Sequence, residues 1–341
     1  MNPENNINRG TQKKTYITFF SGWPTNLTVQ YNPVTELAEL VDYPTYNELK
    51  TGALVPDDTE MHGDKYPYLT LDQSAAAVDA VTAYEAYMAG GAQPTQDQME
   101  IGNSALNVVI PKGVEGIKEG IFSGTDVSGN SVGTADGDLQ SIKMEGVSNV
   151  PAYAFYGCSG LQSVIMNPSD NPEGDKIGNY AFGNCDKLTN VSLSANVKEI
   201  GLRPFKECEK LTYVSFPEST NFVCDNGIIY GLRDGSKVSI VECLETRGST
   251  GEYTVGASMV AKSELEGVET IQDEAFKGCL GIGDVNLSTS KVEIIPVSCF
   301  EDTTYLFSVE LPETATTIRE NAFKNSGIHI LLKLKSNTHL E

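Results

Sequence analysis

A phenylalanine recurs down this chain at Phe122, Phe155, Phe182, Phe205, Phe276, Phe300 and Phe323, inside the phrase Val-x-x-Ile-x-x-x-x-Phe-x-x-Cys-x-x-Leu-x-x-Val-x-Leu. Subtracting neighbours gives spacings of 33, 27, 23, 71, 24 and 23 residues. A unit of roughly 23 residues is too short to bury its own apolar side, so copies stack and share one continuous core. The 71-residue gap is close to three periods, which implies a segment that has diverged or been replaced. A chain built this way is not one compact enzyme core. Its function belongs on the faces of a stack.

The other apolar slots keep step with the phenylalanine. Ile117, Val150, Ile177, Ile200, Ile271, Ile295 and Ile318 stand five positions before it. Val114, Val147, Val197, Val268 and Val292 stand eight before it, with the slot broken at Gly174 and Ala315. Leu161, Leu188, Leu211, Ile282 and Leu306 follow six positions after. Then come Val164, Val191, Val214, Val285 and Val309, and Met166, Leu193, Phe216, Leu287 and Leu311 two steps further on. That final alternation is the period-two signature of a strand with one face buried.

Cys158, Cys185, Cys208 and Cys279 each lie three residues after the phenylalanine. One Cys per coil is not the short paired spacing that holds a metal. The expectation is a column of small buried thiols. Cys224, Cys243 and Cys299 fall outside the column. Seven is an odd number, so full pairing is excluded for a monomer, and a Cys224–Cys243 bond stays open.

The run Ile177-Gly-Asn-Tyr-Ala-Phe182-Gly-Asn-Cys185-Asp-Lys-Leu188-Thr-Asn-Val191-Ser-Leu193 resembles the repeat of the BspA-type leucine-rich repeat family, as does Ile271-Gln-Asp-Glu-Ala-Phe276-Lys-Gly-Cys279. Asp225-Asn-Gly-Ile-Ile-Tyr230, followed by Asp234-Gly235, is similar to a hairpin insertion that such proteins carry between repeats. The resemblance covers about residues 104–335. It implies a β-rich, right-handed leucine-rich-repeat solenoid with a non-enzymatic binding role, in a family whose members are often secreted or surface-displayed adhesins. Departures occur at Leu202-Arg-Pro-Phe205 and Val297-Ser-Cys-Phe300, and where Thr303 and Ser326 replace the Cys.

Read for organisation, residues 1–14 are a polar arm expected to be disordered. Residues 15–100 form a small α+β module plus linker. Its strands are Tyr16-Ile-Thr-Phe-Phe20 and Leu27-Thr-Val-Gln-Tyr31 about a Gly22–Pro24 turn, and its helix runs from about Ala75 to Ala89. The solenoid takes 101–341, with 217–266 as a β-hairpin insertion turning at Asp234-Gly235 and a further strand at Tyr253-Thr-Val255. Residues 328–335 read as a terminal strand blunted by two Lys.

Composition narrows the partners. Of 341 residues, 40% are hydrophobic and 21% charged, enough to build a core, and the formal net charge is −22. That charge disfavours nucleic acid and anionic membrane surfaces, which select basic patches. No stretch of about 18 apolar residues exists to span a bilayer, so membrane insertion is not expected. The opening Met1-Asn-Pro-Glu-Asn-Asn-Ile-Asn-Arg lacks the apolar core of a signal peptide. The expected location is extracellular or on a cell surface if a leader has been trimmed, or else on a virion.

Catalytic, cofactor and metal sites are not expected. Gly129-Asn-Ser131-Val-Gly133 matches G-x-S-x-G but lacks the preceding strand and following helix of a nucleophile elbow. Only His62, His329 and His339 could serve it. Asp126, Ser128 and Asn130, with Asp136 and Asp138 nearby, fit the start of a calcium loop. Ser131 stands where the turn glycine belongs, however, and no Glu closes the loop, so a surface loop is expected.

What remains is a surface. Within each Leu-x-x-Val-x-Leu strand the residues flanking the Val face outward: Ser163 and Ile165, Asn190 and Ser192, Tyr213 and Ser215, Asp284 and Asn286, Ser308 and Glu310, preceded by Ser141 and Lys143. Tyr213 and Ile165 are the expected anchors. This pattern predicts a binding or adhesion protein for a protein or glycan ligand. The alternative is a bacteriophage fibre or decoration protein whose N-terminal module docks or forms a homo-oligomer.

Overall fold

The computed structural model describes strands at 14–20, 23–32 and 37–42, single positions between 83 and 95, residues 106–332 apart from 111, 113, 119, 126–127, 132–134, 248–257 and 262–263, and the pair 339–340. The bulk of it is a β-solenoid of about 6 turns with almost no helix. Each regular turn contributes a longer strand at the Leu-x-x-Val-x-Leu run and a shorter one at the Ile before the phenylalanine. Asn107–Ile110, Ser141–Met144, Ser163–Met166 and Asn190–Ser192 make one parallel sheet, in register, so that Ile142, Val164 and Val191 stack inward. Ser141–Met144 alternates half-buried and buried residues, as the period-two pattern requires. Gly116–Ile117, Asn149–Val150, Asp175–Ile177 and Val197–Ile200 form the second ladder.

The N-terminal strands extend this second ladder. Lys14–Phe20, Trp23–Asn32 and Leu37–Asp42 form an antiparallel meander whose last strand pairs in parallel with the solenoid, Leu40 opposite Ile117. The first hairpin is tighter than the Gly22–Pro24 turn expected: Phe20 already pairs with Trp23, and Pro24 lies within the strand. Residues 1–13, most of the expected helix, residues 43–82 and the Tyr253–Val255 strand lie outside the described residues, as do Lys333 and Lys335.

Six of the seven phenylalanines are fully buried, and Phe323 packs against the core edge. They form two ring stacks. Phe122, Phe155, Phe182 and Phe205 follow at 4.7, 5.3 and 5.6 Å between centroids, and Phe276, Phe300 and Phe323 at 5.0 and 5.3 Å. The residue two before each ring is left-handed at Tyr153, Tyr180, Arg203, Glu274, Ser298 and Asn321, with φ between 38° and 58°. The residue two after is left-handed at Gly157, Asn184, Glu207, Gly278, Asp302 and Asn325. Left-handed backbone costs a non-glycine residue about 1 kcal/mol. Here it points N–H groups at the next turn: Tyr180, Phe182 and Asn184 donate to the carbonyls of Leu202, Pro204 and Lys206 at 2.7–2.8 Å. The inter-turn hydrogen bonds hold that conformation in place.

The cysteine column is buried and its thiols are free, as the spacing implied. Each also bridges turns. Cys158, Cys185 and Cys208 donate from Sγ to the carbonyls of Phe122, Phe155 and Phe182 in the preceding turn, at 3.5, 3.2 and 3.1 Å. Where the Val slot fails at Gly174, the structure buries Asp175 instead, holding it between the hydroxyls of Ser169 and Ser194.

The 71-residue gap holds a three-stranded meander, Phe222–Asp225, Ile228–Arg233 and Ser236–Cys243. Its two-residue turns, Asn226-Gly227 and Asp234-Gly235, have positive φ throughout, the type I′ geometry that matches strand twist. Both of its faces are buried. Phe222, Cys224, Ile229, Val241 and Leu244 join the core of the first turns; Val223, Ile228, Tyr230, Ile240 and Cys243 join that of the last. The meander is thus a wall between two half-solenoids. Cys224 and Cys243 lie on opposite sides of it and are both free. Ser239 and Ile240 then pair with Thr270 and Ile271, and Ser258–Val260 pairs with Ile282–Asn286, so the ladders resume. Cys243 stands where a phenylalanine would: its N–H donates to Ala275, and its carbonyl receives the Cys279 thiol at 3.3 Å.

At this wall, side chains replace the missing backbone acceptors. The Phe205 N–H donates to the Glu242 carboxylate at 3.3 Å, and the Glu207 N–H to Glu245 at 3.2 Å. Burial pushes the Glu242 carboxyl up to about 8, against the opposing pull of Arg203, and raises Glu245 for the same reason. Arg203 is itself buried. It donates to Glu245 and to the Lys277 carbonyl, and its other terminal nitrogen lies 3.9 Å from Glu274, which also accepts from the Tyr180 hydroxyl.

Candidate recognition face

The strands place the expected surface residues in two separate patches, because the wall divides the long-strand sheet. In the first patch Ser141, Ser163 and Asn190 are register partners, as are Lys143, Ile165 and Ser192, and Ser215 continues the second row through a bridge to Ser192. Tyr213 is 53% exposed and Ile165 37%. Asn190 donates to Ser163 at 3.3 Å, and Ser141 to Asn107 at 2.6 Å, so the rungs cross-link one another.

In the second patch Asp284 pairs with Ser308 and Asn286 with Glu310. The Ser308 hydroxyl donates to Asp284, and Asn286 donates to Glu310 at 2.8 Å. These contacts orient two carboxylates and leave them half-buried at the solvent boundary. All ten expected face residues are accounted for, five pairs in two groups.

The sequence reading passed over the neighbouring aromatics. Tyr305 is 49% exposed and Phe307 50%, and Leu280 is exposed as well. The Phe307 N–H donates to the Gly283 carbonyl, and the His329 N–H to the Phe307 carbonyl, which puts the three residues in one column. The Phe307 and His329 rings are 5.9 Å apart. The signal was present: Tyr305 and Phe307 flank the buried Leu306, where the neighbouring turn has Gly281 and Gly283 around Ile282.

On the opposite edge of the second half, Glu301 sits between Lys277 at 2.8 Å and Lys324 at 2.7 Å. These hydrogen bonds, Lys277 first, bring its carboxyl down to about 2. This is a structural ladder between turns. Ser131 of the G-x-S-x-G run lies in an isolated antiparallel bridge with Thr125, and Asp136 accepts from the Asp138 and Leu139 N–H groups. Asp126 lies outside the described residues. Among the described residues no three His, Cys, Asp or Glu side chains group as a metal site would, and no helix is long and apolar enough to cross a membrane.

The fold and its exposed sheet define a leucine-rich-repeat solenoid. The family model for the BspA type leucine rich repeat region matches in 6 copies over residues 135–230 and 261–340, and the chain belongs to that family. Among solved structures the chain is similar to the pneumococcal vaccine antigen PcpA, at 17% identity over 64% of this chain and 54% of that one, with a TM-score of 0.46. It is also similar to a leucine rich cell surface protein from Faecalibacterium prausnitzii, at 17% identity over 64% and 79% of the two chains and a TM-score of 0.29. A third is a leucine-rich-repeat protein from T. pallidum, at 18% identity over 69% and 71%, with a TM-score of 0.27. No curated protein matches.

Proposed function

We propose that the chain is a non-enzymatic recognition protein that works on an outer surface, gripping a protein or glycan through its long-strand sheet. The observation that carries this reading is the in-register face itself: half-exposed polar side chains repeat from turn to turn around protruding anchors at Tyr213 and Ile165. Stacked repeats use such extended faces for binding, and aromatic anchors concentrate its energy. Membership of the BspA-type family supports the same reading. The acidic charge of −22 directs it towards neutral or basic ligands.

The test is an array of extracellular proteins and glycans probed with the full chain. Binding that falls at least tenfold in Tyr213→Ala or in Asp284→Ala supports the assignment. Binding that both variants leave unchanged overturns the placement on this sheet, and an array with no ligand overturns the recognition role.

A further inference from the structure

We infer that Tyr305 and Phe307 form a stacking platform for a neutral carbohydrate, an assignment that rests on the recognition reading and specifies one site within it. Two aromatic side chains from one turn expose half of their surface, and among the described residues no turn of the first half carries such a pair. In the preceding turn the corresponding positions are Gly281 and Gly283, both buried despite having no side chain. Gly283 lies at a strand paired on both sides, with Ser258–Val260 and with Ser308–Glu310, so no side chain of the preceding turn stands beside the half-exposed rings at these positions. On the far side, Gly327 takes the position next to Tyr305, and His329 the position next to Phe307, with 5.9 Å between the two ring centroids.

Directly along the strand from Phe307 come the groups that would take a sugar's hydroxyls. Ser308 orients the Asp284 carboxylate and Asn286 orients Glu310, so the acceptors are fixed before a ligand arrives. A pyranose has an apolar C–H face to lay on a ring and donor hydroxyls at its rim. Pre-oriented carboxylates beside an aromatic suit both.

Area and charge select this occupant over others. Each ring offers roughly 100 Å² at half exposure. A stable protein interface needs about 800 Å² per partner. The patch is the size of one or two sugar rings. A sulfated or uronic glycan would meet Asp284, Glu310 and a chain of net charge −22, so the sugar is uncharged.

The experiment is electrophoretic retardation of the full chain in gels containing neutral polysaccharides (mannan, xylan, β-glucan, galactan) or anionic ones (heparin, polygalacturonate). At least one neutral polymer should retard the wild type and neither anionic one should. Tyr305→Ala and Phe307→Ala should each weaken retardation about tenfold, and Phe307→Trp should preserve it. Thermal melts of Phe307→Ala and Phe307→Leu check that the fold is kept. Retardation unchanged in a Tyr305→Ala/Phe307→Ala double variant overturns the platform and leaves the recognition role standing. If no neutral polymer binds, the platform is overturned alone where a protein ligand has been found, and together with the recognition role where none has.

Discussion

Two junctions in this molecule do the same job with different chemistry. Between the Phe182 and Phe205 turns, left-handed residues aim N–H groups at carbonyls of the next backbone. Between the Phe205 turn and the wall, the next backbone has been displaced by the meander, and Glu242 and Glu245 supply carboxylate oxygens instead. The regular junction is uncharged and repeats at every turn. The wall junction brings ionisable groups in beside Arg203, and burial raises the Glu242 carboxyl, so its strength should vary with pH. At the wall, side chains take over the hydrogen bonds that the period supplies elsewhere.

The largest effect should come from the regular side. Phe182→Ala removes a ring stacked on both neighbours and should cost about 3–5 kcal/mol in urea melts. A loss under about 1 kcal/mol would mean that the ring column is not the core. At the wall, Arg203→Met removes the cation paired with Glu245 and should cost about 3 kcal/mol, the penalty of a buried charge left unpaired.

Glu242→Gln sharpens the contrast. Its carboxyl titrates at about 8 in the fold, above the ordinary 4.5, so its contribution is fully present below pH 4.5 and is lost as pH rises through 8. Glutamine keeps an acceptor for the Phe205 N–H without the charge. The variant should match wild type at pH 5 and exceed it by about 1–3 kcal/mol at pH 9. Equal stability at both values would place Glu242 in water.

Glu301 titrates the other way. Its carboxyl is held near 2 by Lys277 and Lys324, so its contribution is present above pH 4.5 and disappears as pH falls through 2. Glu301→Gln should cost about 1 kcal/mol at pH 7, reduced by solvent screening of the lysines, with the gap closing in acid. The smallest effect belongs to the left-handed column: Asn184→Ala should lose about 1 kcal/mol and Asn184→Gly less than about 0.5. Denaturant midpoints would separate the two.

Much of this fold was legible because the repeat is enforced by packing: the Phe, Ile, Leu and Val slots each meet an identical neighbour, so one spacing fixes them all. The Asp234-Gly235 hairpin was legible for a local reason, its turn chemistry. The wall was not. Cys243 replaces a phenylalanine 38 residues after Phe205 and 33 before Phe276, by subtraction, so no period points to it. Nothing in the pattern marks Glu242 or Glu245, because what draws them inward is the backbone that the meander displaces. On the long-strand sheet, alternation picks out the ten outward positions, but the split into two patches follows from the wall. Tyr305 and Phe307 escaped notice because they lie just ahead of the strand proper, where alternation says nothing about direction.

The meander's double-sided burial has a mechanical meaning. A chain pulled from its C-terminal end should shed coils one at a time, since each is held mainly by its neighbour, until the force reaches three cross-bonded strands loaded in shear. There the unravelling should pause, with the first half still wound. A surface tether made this way would yield in two stages under load.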